Sequence, residues 1–128
     1  MIVALFRRRL REGKSFADFK RAWEADQGFG VPTRVFNAVN LADERDVISI
    51  GFVAIEPEAL DAGLARAGAQ EQRRHSRIEE VVEATELRAM YRLVSEHDFS
   101  ADPREIAPGS LESLLRSLSS SRDDQRST

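Results

Sequence analysis

The length of 128 residues, with 41% hydrophobic and 32% charged residues, is typical of a single soluble domain that buries its own core. A formal net charge of −3 at pH 7 argues against general nucleic-acid binding, which requires an excess of Lys and Arg. The absence of cysteine excludes disulfides and thiolate metal sites and suits a reducing cytoplasm, and no apolar run approaches the ~20 residues of a membrane span. We therefore expect a cytoplasmic protein that has neither nucleic acid nor a membrane as its partner.

The first half of the chain has the pattern of a strand, a helix and a strand. Residues 2–10 alternate as a strand does, and the arginines at positions 7–9 carry this strand out of the buried region. Ser15, with Asp18 three residues later, predicts the N-terminus of a helix. Residues 33–41 then form the second predicted strand.

The second half has the same pattern. A third strand is predicted over residues 47–55, after a polar hairpin loop at 42–46. Pro57 suits the start of a second helix, which we expect to be broken or bent near Gly68. Residues 87–94 are the fourth predicted strand.

This element order predicts an α+β fold of the ferredoxin-like type, βαββαβ, with helices on one face of a four-stranded antiparallel sheet. The other face of the sheet is also apolar and needs a second cover, which a partner subunit would supply. The residues expected on that face are Val3, Leu5, Val35, Val39, Ile48 and Ile50.

The chain changes character near its end, so we predict a division into residues 1–99, the α+β domain, and 100–128, a C-terminal extension. Pro103 and Pro108 mark a linker in this extension. Ser110 suits the N-cap of a short amphipathic helix with leucines over 111–118, followed by a polar tail. We hypothesise that this helix packs on the partner subunit or caps the barrel, because so short a helix is unstable alone.

Three segments carry a resemblance to a known family. They are the apolar first strand at 2–6 with the glycine turn and SFADFKRAW at 15–23, the hairpin at 35–55, and EPEAL at 56–60. Over about residues 1–96 the chain resembles the dimeric α/β-barrel superfamily, and within it the antibiotic-biosynthesis-monooxygenase-like branch.

The resemblance implies a homodimer in which two sheets pair face to face, and a small-molecule pocket between each sheet and its helices. It also implies a cofactor-independent monooxygenase that acts on aromatic or polyketide-like substrates and needs no bound cofactor. The alternative is a non-catalytic dimeric protein that binds a ligand or regulates a partner. Haem degradation is disfavoured, because the asparagine of the first strand and the tryptophan near the end of the third strand are missing, Ala54 lying near the latter position.

Three polar residues are the candidate catalytic groups. His75 is the natural general base, although its polar neighbourhood at 70–77 favours a solvent-exposed helix face. Asn37 lies between apolar neighbours on its strand and would either orient a ligand or bond to a nearby protein group. Tyr91 would donate its hydroxyl to a substrate oxygen or to a backbone carbonyl in the core.

The aromatic side chains that would wall a substrate cavity are Trp23, Phe6, Phe36 and Phe52. The alternative interpretation places them in an ordinary core, where aromatic residues at helical or strand spacing most often lie. We expect no metal site, because the two histidines and the nearby carboxylates lack the spacing of known ligand sets.

Overall fold

The structure, a computed structural model, describes residues 1–24 and 28–109, except for the side chains of residues 64, 66, 67, 69 and 70. It divides into two compact units, Met1–Arg92 and a second that begins at Leu93. The first unit therefore ends shortly before the predicted division at residue 99.

The first unit confirms the predicted α+β class. Its elements are β1 (Ile2–Leu10), α1 (Phe16–Trp23), β2 (Thr33–Asn40), β3 (Asp43–Val53), a 3-10 turn (Pro57–Ala59), α2 (Leu60–Val81) and β4 (Val82–Arg92). The four strands form one antiparallel sheet in the order β2-β3-β1-β4. The two helices pack against each other on one side of this sheet.

The start of α1 follows the sequence prediction. The side chain of Ser15 accepts a hydrogen bond from the backbone N–H of Asp18, and the Asp18 carboxylate accepts one from the backbone N–H of Ser15. This reciprocal capping box satisfies two of the N–H groups that have no partner within the helix.

The core lies between the helices and one face of the sheet. Phe19 of α1 and Leu10 of β1 are fully buried, and they pack with Val47 of β3 and with Ile78 near the end of α2. We call this side of the sheet the helix-covered face and the other side the far face.

Of the break or bend predicted in the second helix near Gly68, the break does not occur, because α2 runs without interruption over 22 residues. A glycine inside a helix costs only about 1 kcal/mol relative to alanine, which the buried end of α2 at Ile78 and Val81 offsets. The fourth strand begins directly at Val82, because this buried residue already pairs with Leu10 of β1.

The predicted hairpin loop at 42–46 is also longer than the observed turn, which occupies only Leu41 and Ala42. The polar residues after the turn belong to β3 and face arginines of β1: Arg7 donates two hydrogen bonds of 3.0 Å to Asp46, and Arg9 donates one of 2.8 Å to Asp43. The bonds from Arg7 and from Asn40 lower the pKa of Asp46 to about 2.

The strand register decides which residues occupy the far face. Val35 pairs with Gly51 and Val39 with Val47, so both valines lie on the helix-covered face and not on the far face as predicted. The far face instead carries aromatic side chains beside the predicted aliphatic ones. Its apolar members are Val3, Leu5, Phe36, Ala38, Ile48, Ile50, Phe52, Leu87, Ala89 and Tyr91, and Arg7 and Arg34 lie on the same face.

The second unit contains a two-stranded antiparallel ribbon, β5 (Glu96–Asp98) and β6 (Arg104–Ile106). Part of the segment predicted as a linker between Pro103 and Pro108 is therefore a strand. The helix predicted over 111–118 lies outside the described residues. None of the helices that the structure describes is both long and apolar enough to cross a membrane.

Candidate functional site

A cavity of about 190 Å³ lies between the helix-covered face of the sheet and the two helices. Most of its wall is apolar and comes from all four strands, both helices and the segments that join them. The apolar side chains are those of Ala4, Phe6, Trp23, Phe29, Val31, Val35, Val53, Ile55, Leu60, Ile78 and Met90. Apart from Thr33, the polar residues of the wall form two bonded groups, Arg8 with Ser49 and Glu71 with Arg74 and His75, which we together call the polar cluster.

Arg8 enters the cavity because side chains alternate along β1. It lies on the same face as Ala4 and Phe6, and only 5% of it is exposed, so the prediction that positions 7–9 leave the buried region is wrong for this residue. Its guanidinium lies 4.6 Å from the centroid of the Phe6 ring and donates one long hydrogen bond of 3.5 Å to the Ser49 hydroxyl.

Among the described residues, no carboxylate forms an ion pair with Arg8. Burial, followed by the positive charges of Arg74 and Arg88, lowers the pKa of Arg8 to about 10, and the negative charge of Glu71 only partly opposes this shift. A buried cation of this kind is costly unless something compensates it.

Ser49 connects Arg8 to Asn37. The Ser49 hydroxyl is buried and donates a hydrogen bond of 2.6 Å to the side-chain oxygen of Asn37 while it accepts the bond from Arg8. Asn37 therefore acts on the cavity through Ser49, since it is not itself part of the wall.

Arg74 is the second buried arginine, and its bonds are satisfied. Its Nε donates to the backbone carbonyl of Trp23 at 2.8 Å, and its Nη1 pairs with Glu71 one turn earlier on α2. The guanidinium also lies 5.3 Å from the centroid of the Trp23 ring and 5.8 Å from that of Phe29. Arg74 thus joins α2 to the end of α1 and holds Trp23 at the cavity.

His75 faces the cavity instead of the exposed helix surface that its polar neighbours predict. Its Nε2 lies 3.7 Å from Glu71, and the Nη2 of Arg88 lies 2.9 Å from Nε2 and 3.1 Å from Nδ1. Burial, followed by the charge of Arg88, lowers the pKa of His75. The imidazole is therefore neutral at pH 7 and is able to accept a proton.

The structure brings together only some of the predicted site residues. His75, Trp23 and Phe6 line the cavity, and Asn37 contacts it through Ser49. The other three lie on the far face: Phe36 and Phe52 pack edge to face with centroids 6.0 Å apart, and Tyr91 is 49% exposed. The three candidate catalytic residues, His75, Asn37 and Tyr91, do not meet in one cavity.

Sequence reasoning missed the rest of the polar cluster: Arg8, Ser49, Glu71 and Arg74. One signal for Arg8 was present, because Ala4, Phe6, Arg8 and Leu10 follow the period of two that defines a single strand face. No local pattern distinguishes Arg74 from its exposed neighbour Arg73.

The cavity is suited to a small ligand. A cavity of about 150 Å³ lined by aliphatic and aromatic side chains binds benzene, whereas pockets for drug-sized ligands measure about 300–1,000 Å³. About 190 Å³ therefore fits a molecule of one or two rings. Within the described parts of the chain, no three His, Asp or Glu side chains gather as metal ligands.

Comparison with family models, with curated proteins and with solved structures finds no match to this chain.

Proposed function

We propose that this protein is a homodimeric α/β-barrel protein that binds a small aromatic molecule between its sheet and its helices and oxidises it without a bound cofactor. One observation carries the proposal: a neutral histidine, His75, and cationic side chains border an otherwise apolar cavity. The resemblance to antibiotic-biosynthesis monooxygenases supports the reaction type.

The cavity residues have the properties that a cofactor-independent oxygenation needs. His75 accepts a proton from an acidic C–H or O–H group of the substrate, and the positive charges around it stabilise the resulting anion. The anion supplies the electrons that reduce O₂. In the net reaction a CH₂ group and O₂ give C=O and H₂O, so one oxygen atom enters the substrate and the other leaves as water. The volume of the cavity favours substrates of one or two rings over large polyketides.

The dimer is proposed from the far face. The strand order β2-β3-β1-β4 is that of a ferredoxin-like sheet, and the far face exposes 39% of Phe36 and 49% of Tyr91. Contiguous apolar surface of this kind marks an interaction site on a soluble protein. A second copy of the same sheet is the complementary cover that the resemblance implies.

A specific contact favours the alternative of a non-catalytic ligand-binding or regulatory protein. The Nη2 of Arg88 lies within 3.1 Å of both ring nitrogens of His75, and its positive charge opposes the protonation of the ring that a general base must undergo. Proton transfer then requires Arg88 to move away when the substrate binds.

Oxygen consumption with two-ring aromatic substrates that have an acidic C–H or O–H group, such as tetralones and naphthols, separates the two functions. The oxygenase consumes O₂ and incorporates ¹⁸O from ¹⁸O₂ into the product, and His75→Gln lowers the rate about 10²- to 10⁴-fold. His97→Gln, an exposed histidine of the second unit, is the matched control and leaves the rate unchanged.

A ligand that binds without any O₂ consumption would instead support the non-catalytic protein. Gly51→Val tests the location of the site in either case. A Cβ at Gly51 stands at ordinary contact distance, 3.5 Å from Ala4 and 3.7 Å from Val35, so the larger side chain extends into the cavity and blocks binding. Gly68→Val, on the exposed side of α2, leaves binding intact. Binding that survives Gly51→Val would place the ligand elsewhere.

A further inference from the structure

We propose that Arg8 anchors one anionic group of the ligand, so that the cavity takes small apolar monoacids, above all aromatic carboxylates. This inference rests on the proposed use of the cavity as the ligand site, and it adds the chemical class of the ligand and the residue that selects it.

Arg8 differs from the other arginines of the same strand and of the cavity. Arg7 pairs with Asp46, Arg9 with Asp43 and Arg74 with Glu71. Arg8 is as deeply buried as Arg74, yet in the described part of the chain no carboxylate pairs with it. A ligand anion would supply the missing countercharge.

The N–H groups of Arg8 that have no partner among the described residues face the cavity. Arg8 donates a single long bond, to Ser49, among the described residues. Among the described residues, every fully enclosed side-chain nitrogen or oxygen has a hydrogen-bond partner. The remaining N–H groups of Arg8 therefore reach open space, and Arg8 lines the cavity. A guanidinium presents these donors in a planar fork that matches the two oxygens of a carboxylate.

The cavity suits a ligand with one anionic group and not two. Arg74 is already engaged by Glu71 and by the carbonyl of Trp23, and Arg88 is exposed to solvent beside His75. Glu71 would repel a second negative group. The apolar wall, with Val35 and Ile78 among its members, leaves only ring or alkyl contacts for the remainder of the ligand.

A carboxylate and a phenolate share the chemistry that Arg8 recognises. They differ in protonation near neutral pH, because a carboxylic acid is already ionised whereas a phenol must lose a proton to bind as an anion. A proton released on binding therefore distinguishes the two sources.

Calorimetric titration of the full chain tests whether Arg8 anchors an anion. Benzoate and 2-naphthoate are each compared with the corresponding alcohol. A separate titration uses 2-naphthol. We expect the better-fitting acid to bind at least about 10-fold more tightly than its alcohol. In Arg8→Met the affinity for the acid falls about 10- to 100-fold, while that for the alcohol changes little. Arg8→Lys keeps part of the preference for the acid, because it keeps the charge. Arg73→Met, the same change at an exposed arginine of α2, alters neither affinity.

Repeating the 2-naphthol titration in buffers of different ionisation enthalpy reports proton release. If wild-type protein releases a proton on binding 2-naphthol, the release disappears in Arg8→Met and both acids bind weakly, then Arg8 anchors a phenolate. Equal affinity for acid and alcohol without proton release, or an Arg8→Met variant that retains the preference, overturns the anchor. If the alcohols bind and no anion does, the anchor fails while the proposed ligand-binding cavity stands. If no member of the panel binds, both fail.

Discussion

The two buried arginines of the cavity should respond to the same substitution with opposite sign. Arg8 and Arg74 are 5% and 7% exposed, so methionine would place a similar apolar chain in a similar environment at both positions. The two arginines differ in their hydrogen-bond partners: Arg74 has a carbonyl and a carboxylate, whereas Arg8 has one hydroxyl contact at 3.5 Å.

The magnitudes follow from these contacts. Replacing a buried ion pair by well-packed apolar side chains is often neutral or stabilises proteins by about 1–4 kcal/mol, and Arg8 has only its hydroxyl contact to offset the cost of its buried charge. The lost cation–π contact of Arg8 with Phe6 is worth about 0.5–2 kcal/mol and reduces that gain. We expect Arg8→Met to raise the free energy of unfolding by about 1–2 kcal/mol in the absence of ligand.

Arg74→Met should have the opposite effect. It removes a charge-assisted hydrogen bond to Trp23, worth about 1.5–3 kcal/mol, and a cation–π contact with the same residue, worth about 0.5–1 kcal/mol. Glu71 keeps 27% of its side chain exposed, so water moderates the loss of its partner. The expected loss is about 2–4 kcal/mol.

Urea unfolding of both variants and of the wild type, at pH 7 and at one protomer concentration, measures the difference. With a slope of about 2 kcal/mol/M, the midpoint should rise by roughly 0.5–1 M for Arg8→Met and fall by a larger amount for Arg74→Met. Equal concentrations matter because subunit association would stabilise the folded state by mass action. If Arg8→Met loses as much stability as Arg74→Met, the charge of Arg8 is compensated within the protein and the reasoning is refuted.

Two further predictions concern the histidine and the far face. In an NMR titration the pKa of His75 should lie below its ordinary value of about 6.5, because burial and the charge of Arg88 lower it. The variant Arg88→Gln should raise the pKa of His75. A wild-type pKa of about 6.5 or above would contradict the described contacts. Because the fold favours the neutral ring, His75 contributes stability above pH 6.5 that declines as the pH falls through the folded-state pKa. In light scattering, Phe36→Asp on the far face should convert the proposed dimer to a monomer, while Leu41→Asp in the exposed hairpin turn should not. A wild-type monomer would show that there is no such interface. A dimer that survives Phe36→Asp would place the interface elsewhere.

Local sequence signals predicted the elements of the sheet domain well. The capping box at Ser15 and Asp18 is a two-residue code that acts within one helical turn, so no tertiary information is needed to find it. Alternation gave β1 its observed bounds. The break expected at Gly68 failed because helix propensity is a weak local preference that packing elsewhere on α2 overrides.

The predictions that failed at the site depended on register between distant strands. Whether Val35 or Phe36 faces the helices is decided by the pairing of β2 with β3, and a shift of one residue exchanges the two faces. The same exchange removed Phe36 from the predicted cavity wall, whereas Phe52 lies on the far face because it alternates in phase with Ile48 and Ile50 along β3. The local cause is the register shift between Val39 and Asn40, because Asn40 pairs with Asp43 beside the turn whereas Val39 already pairs with Val47.

Arginine composition was a further source of error, since three successive arginines indicate an exposed strand end when they are considered as a group. On a strand they are divided between two faces. Arg7 and Arg9 have acidic partners on β3, whereas Arg8 faces the cavity without one. Charge assignment therefore had to be made face by face and not along the chain.

The cost of burying Arg8 and the affinity for an anion are linked quantities. If the unpaired guanidinium destabilises the empty protein, an anion that pairs with it restores that free energy on binding, in addition to its ordinary contacts. The variant Arg8→Met should then be more stable than the wild type when both are empty, and this order should reverse at a sufficient concentration of the anionic ligand. A purely structural arginine predicts a variant that is less stable at every ligand concentration. Thermal unfolding of the two proteins across a 2-naphthoate titration thus separates an anchor that awaits its ligand from a cation that merely packs in the core.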